Sequence, residues 1–106
     1  MWTENKVFLE DLESITQASY IPWEKLQGKT VLVTGGTGLI GSTLINSLLY
    51  ANWKMSLNLQ VLALIRNREK AENMFSKQLQ ENLPLHFIMG TVENLPNIEQ
   101  PVDYII

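Results

Sequence analysis

Thr30-Val31-Leu32-Val33-Thr34-Gly35-Gly36-Thr37-Gly38-Leu39-Ile40-Gly41-Ser42 decides how this chain folds. The first five residues are β-branched or apolar, the composition of a short buried strand. The last residues open a helix expected to run through Ser42–Tyr50. Between them, glycines stand at positions 35, 36, 38 and 41. A strand, a tight glycine turn and a helix start together make a phosphate cradle. The first amides of a helix have no internal partners, point outward and carry the positive end of the helix dipole. The ligand expected there is a dinucleotide.

The glycines fit two registers, Gly36-x-Gly38-x-x-Gly41 and Gly35-x-x-Gly38-x-x-Gly41. In both, the first glycine turns the chain off the strand. Gly38 then lets the backbone approach a pyrophosphate, and Gly41 lets the helix pack closely on the strand. Gly35, Thr37, Gly38, Leu39, Ile40 and Gly41 are therefore the candidate pyrophosphate-binding residues. A nucleoside-triphosphate P-loop is excluded, because no Gly-Lys-Ser/Thr follows.

Working outward, 106 residues suffice for one small domain. Apolar residues make up 45% and charged residues 18%, which predicts a packed core rather than disorder. A net charge of -3 with no Lys/Arg cluster argues against a nucleic-acid surface. No cysteine is present, which removes disulfides and thiolate metal sites. The single histidine, His86, cannot build a multi-histidine metal centre and is read as opening a strand. No metal site is expected. No apolar run approaches the roughly twenty residues that cross a membrane. The start, Met1 to Lys6, lacks the basic and apolar segments of a secretory signal, so the cytoplasm is the expected location.

Residues 4–20 read as a helix with Phe8, Leu12, Ile15 and Ser19 on one face. Ile21-Pro22 ends it. After the glycine turn, Leu39, Ile40, Leu44, Ile45, Leu48 and Leu49 form an apolar stripe expected to bury against a sheet. Residues 52–58 read as a long connection. Gln60–Ile65 is the second strand, Arg68–Asn82 the second helix with Ala71, Met74, Phe75 and Leu79 inward, and Leu85–Met89 the third strand. Thr91–Asn97 is a short excursion, and Val102–Ile106 begins a fourth strand. Right-handed crossovers then predict a parallel sheet ordered 3-2-1-4. The expected class is α/β, a partial NAD(P)-binding Rossmann fold with an extra N-terminal helix. Residues 1–21 would be the helical extension and 22–106 the first part of the dinucleotide-binding domain. The pattern stops inside a strand, so a fragment of a longer protein is expected. The apolar edge at Val102–Ile106 would then invite self-association.

With these residues placed, the chain resembles the extended short-chain dehydrogenase/reductases, the NAD(P)-dependent sugar epimerase/dehydratase family. Residues 31–42 carry the resemblance, with support from Val61 to Asn67, from Val102-Asp103-Tyr104-Ile105-Ile106 and from the lead-in Pro22 to Thr30. The resemblance implies reversible hydride transfer on a nucleotide-linked sugar. In the family a Tyr acts as base, a Lys lowers its pKa, and both sit in a Tyr-x-x-x-Lys pair on a later helix. Tyr50-Ala51-Asn52-Trp53-Lys54 has those letters but lies at the far end of the first helix, away from the nicotinamide, and is rejected as catalytic. No catalytic residue is therefore expected in this segment, and a sugar substrate would be met only by the full-length protein. Two alternatives are a non-catalytic dinucleotide-binding redox sensor and a reductase of a non-sugar ketone.

An acidic residue roughly twenty positions past the glycines normally binds the adenosine ribose. Arg66, Asn67 and Arg68 stand there instead. Arg66 could meet a 2′-phosphate, favouring NADP; alternatively Arg66 and Arg68 solvate the start of the second helix and NAD binds through other contacts. After the third strand the family often has Gly-Asp, and here the pair is Gly90-Thr91. Thr91 and Val92 are the candidate adenine contacts; Glu93 could substitute for the missing acid, but a solvated surface residue is the favoured reading.

Overall fold

β1 (Thr30–Val33) is central because its side chains are apolar on both faces: Val31, Leu32 and Val33 are all buried. In the computed structural model, which describes residues 10, 12–14, 23–94, 96, 98 and 101–106, β1 pairs in parallel with β2 (Gln60–Ile65) on one side and β4 (Tyr104–Ile105) on the other. β3 (Leu85–Met89) pairs in parallel with β2. The result is an α/β molecule with a four-stranded, all-parallel sheet of order β3-β2-β1-β4, compatible with a Rossmann-like fold. Position along the strand decides which face a residue serves. Val31, Val33, Val61, Ala63 and Ile65 join the larger core, while Leu32, Leu62 and Leu64 pack with Ile88, Ile98 and Val102 on the opposite face.

α1 (Leu39–Met55) covers the larger face with Ile45, Leu48, Leu49 and Ala51. It runs past Tyr50 and shortens the expected connection over residues 52–58. Asn52 makes this compact join: its side-chain Oδ1 accepts the Leu59 amide at 2.7 Å, and its carbonyl accepts the Ser56 amide. The expected stripe holds from Leu44 onward, but its first two members do not bury. Leu39 is 84% exposed and Ile40 82%, because the first turn of α1 overhangs the end of the sheet beside the glycine turn.

The second helix divides. α2 (Arg68–Met74) and α3 (Ser76–Gln80) meet at Phe75, whose backbone (φ -108, ψ 25) leaves helical angles. Phe75 is buried and its ring lies 6.2 Å from that of Phe87. Beyond this break the inward position passes to Gln78, which donates from Nε2 to Asn46 Oδ1 of α1 at 2.8 Å. Met74, read as inward, is exposed, and Leu79 is only half-buried. Before β1, Trp23–Leu26 forms a 3-10 turn that sinks Trp23 into the core. Of the helix expected over residues 4–20, Glu10 and residues 12–14 are helical, and Leu12 is buried in the same core. The remainder, Phe8, Ile15 and Ser19 included, lies outside the described residues, as do Leu95 and Asn97 of the excursion after β3.

Candidate functional site

The glycine turn leaves the carboxyl end of β1, where the chain order reverses between β1 and its neighbours β2 and β4. In open parallel sheets that reversal opens a crevice for ligands. Thr34 holds the start of the turn: its amide and its hydroxyl both donate to the Ile106 carbonyl, at 2.9 and 2.8 Å. Gly35 then adopts φ +64, a left-handed conformation that side chains disfavour. The Gly38 amide closes the turn onto the Gly35 carbonyl at 2.9 Å. Gly41 returns to the same carbonyl from the first turn of α1, so close that an added β-carbon would collide with the backbone of Gly35. These contacts select the register Gly35-x-x-Gly38-x-x-Gly41. Gly36 serves a different purpose, packing against Ala63 and Ile45 in the core.

The start of α1 carries no side-chain cap and no negative charge. Gly38 precedes it in an extended conformation, and its first turn contains no acidic residue. A helix start of this kind is where anions are commonly bound.

Two hollows flank the turn, sharing Gly35. The first, about 430 Å³, is polar and lies over the carboxyl ends of β2 and β3; Thr37, Arg66, Asn67, Thr91 and Val92 line it with Gly35. The second, about 570 Å³, is apolar and lies toward β4; Gly38, Leu39, Ile40, Gly41 and Ile106 line it. All ten residues marked from the sequence thus come together around one turn. A further apolar hollow of about 460 Å³ continues from the second past Leu44 to Trp23.

Details within the first hollow refine the reading. Asn67 Oδ1 accepts the Lys70 amide at 3.0 Å and so caps α2. Thr91 Oγ1 accepts the Asn94 amide at 3.1 Å. Glu93 is exposed and does not line the hollow, so it does not stand in for the missing acid. Lys70 does line it, and the sequence alone did not mark that residue. An apolar residue pattern carries no signal for which cation of a helix start turns toward a crevice.

Tyr50 and Lys54 are elsewhere. Tyr50 is 1% exposed in the core and its hydroxyl donates to Glu13 Oε1 at 3.0 Å. Lys54 Nζ lies 3.9 Å from the same carboxylate. Burial, with the Glu13 hydrogen bond and charge added, raises the Tyr50 hydroxyl above its ordinary 10.0. A tyrosine acting as base needs the opposite shift. His86 is the second residue of β3, within 3.2 Å of Gln60 Oε1. Among the described residues no cluster of His, Cys, Asp or Glu could hold a metal ion, and no helix is long and apolar enough to cross a membrane.

The fold and turn therefore define an α/β chain with a parallel sheet and a glycine turn at its switch point. No protein-family model matches the chain, and no curated protein matches it.

Proposed function

We propose that residues 22–106 are the cofactor-holding part of an NAD(P)-dependent oxidoreductase of the nucleotide-sugar epimerase/dehydratase kind. One observation carries the reading: a three-glycine turn that a β-carbon at Gly41 would close, set before an uncapped helix at the carboxyl end of a central parallel strand. The cradle fits a pyrophosphate. Amides of the turn and of the first turn of α1 would bind its oxygens, and the dipole of α1 would add attraction. The polar hollow with Arg66 and Thr91 suits an adenosine, and the apolar hollow with Leu39 and Ile40 suits the flat face of a ring at the other end. The bound cofactor would supply a hydride acceptor or donor. This chain's residues would hold and orient it.

Calorimetric titration of the chain with NAD+ and NADP+ tests the reading, using Gly38→Val as the blocked variant. An added β-carbon at Gly38 meets only the Gly35 carbonyl, at 3.3 Å, so the fold should survive while ligand approach is obstructed. Binding by the parent and at least about tenfold weaker binding by the variant, at similar melting temperature, is the expected result, as for loss of more than 1 kcal/mol of contact. Equal binding by both proteins would remove the glycine turn from the site.

A further inference from the structure

The polar hollow beside the glycine turn is rich in donors and poor in free acceptors. Arg66 and Lys70 line it, and both side chains only donate. Arg68 lies between them in sequence but turns away: its Nη1 is 3.7 Å from Glu72 Oε1, and it lines a separate hollow with His86 and Phe87. No carboxylate lines the polar hollow. Apart from Thr37 in the glycine turn, two lining side chains carry an acceptor oxygen, and both are engaged. Asn67 Oδ1 accepts the Lys70 amide at 3.0 Å, which leaves Asn67 its amino group. Thr91 Oγ1 accepts the Asn94 amide at 3.1 Å, which leaves its proton to donate. The carbonyls of Leu64, Ile65, Asn67 and Thr91 accept the amides of Gly36, Gly90, Ala71 and Asn94.

Purine bases differ on the edge that holds N7 and the exocyclic group. Adenine shows an acceptor beside an amino donor, and a side-chain amide reads it by offering a donor and an acceptor together. Hypoxanthine and guanine show two adjacent acceptors, the pattern that Arg or Lys reads. Asn67 is the lining side chain of the first kind, and its acceptor is spent on the start of α2. Arg66 and Lys70 are of the second kind and are joined by the Thr91 hydroxyl. An amino group placed among these donors would lose its water without gaining a partner, whereas a carbonyl oxygen would gain several. The positive charge of the two cations favours the oxygen as well.

We propose that the base seated in this hollow carries a carbonyl oxygen where adenine carries its amino group, with Arg66, Lys70 and Thr91 as the residues that select it. The inference rests on the dinucleotide reading above. It changes the base of the proposed cofactor, not its pyrophosphate or its nicotinamide.

The test is calorimetric titration of the full chain with NAD+ and with nicotinamide hypoxanthine dinucleotide, whose base has an oxygen in place of the adenine amino group. The expected result for the parent is tighter binding of the hypoxanthine form by about fivefold or more, the size of one net hydrogen bond. Arg66→Gln offers a donor and an acceptor together, and Thr91→Asp brings a carboxylate to the hollow. Each should narrow or reverse the preference. Arg66 is exposed and Thr91 half-buried, so both variants should keep the parent's melting temperature. If the parent binds NAD+ as tightly as the hypoxanthine form, or more tightly, the base preference falls while the dinucleotide site stands. If the preference survives unchanged in both variants, these side chains do not read the base and the inference falls. If the parent binds neither dinucleotide, both readings fall together.

Discussion

Gly41 has no room for a β-carbon, because the first turn of α1 presses on the Gly35 carbonyl. Gly41→Ala must move the helix start or the turn, an overpacking that costs about 1–3 kcal/mol. A lowered melting temperature in a thermal scan is the expected outcome; an unchanged one would mean that the contact relaxes freely. Tyr50 shows a different constraint at the same scale. Its letters match a catalytic pair, but its position makes it a core residue with a satisfied hydroxyl. Tyr50→Phe should cost about 1 kcal/mol, the net worth of one hydrogen bond, and leave dinucleotide affinity unchanged. The pH dependence has a definite sign. The folded state favours the neutral phenol, so this stabilisation is complete below pH 10.0 and is lost as pH rises through the raised value. Urea denaturation followed across alkaline pH should show a steeper decline for the parent than for Tyr50→Phe.

At the scale of elements, side chains rather than loop length decide how helices join strands. Asn52 reaches from the last turns of α1 to the Leu59 amide just before β2, which is how a short connection closes. Leu59 is buried, so Asn52→Ala would orphan its amide at a cost of about 1–3 kcal/mol. Denaturant unfolding should register that loss, and a change below a few tenths of a kcal/mol would show that water replaces the bond. The break between α2 and α3 was not legible. Ala71, Met74, Phe75 and Leu79 fit an unbroken helical period, and only the seating of Phe75 against Phe87 and of Gln78 against Asn46 breaks it. The strands were legible, since central parallel strands must be apolar on both faces and β1 and β2 are. β3 alternates more, with His86 and Met89 exposed, as suits an outer strand.

At the scale of the whole molecule, the sheet is unevenly clothed. α1, α2 and Trp23 cover one face around the larger core, while Ile88, Ile98 and Val102 pack on the other. β4 forms one edge, and there Ile105 is 63% exposed with exposed Tyr104 and Ile106 beside it. An apolar edge strand is a template for pairing with another chain. Concentration-dependent association is therefore expected by light scattering, and Ile105→Lys should suppress it. A monodisperse monomer at high concentration would show instead that this edge is inert.

Local chemistry determined a good deal by itself. Runs of β-branched residues placed the strands, glycine spacing located the turn, and the order of elements implied the sheet order, because each of these follows from backbone preferences over a few residues. The ten residues that line the two hollows beside the turn were marked from the glycine spacing and from their places after the second and third strands. Tertiary structure supplied the physical reason for the Gly35, Gly38 and Gly41 register that the sequence favoured, the contact of Gly41 with the backbone of Gly35. It also decided that Leu39 and Ile40 face a hollow rather than the core, and that Lys70 joins Arg66 while Arg68 turns to Glu72. Those outcomes depend on where a helix start lies relative to the end of a sheet. Sequence periodicity carries the face of a helix, but not the distance by which its first turn overhangs the strand beneath it.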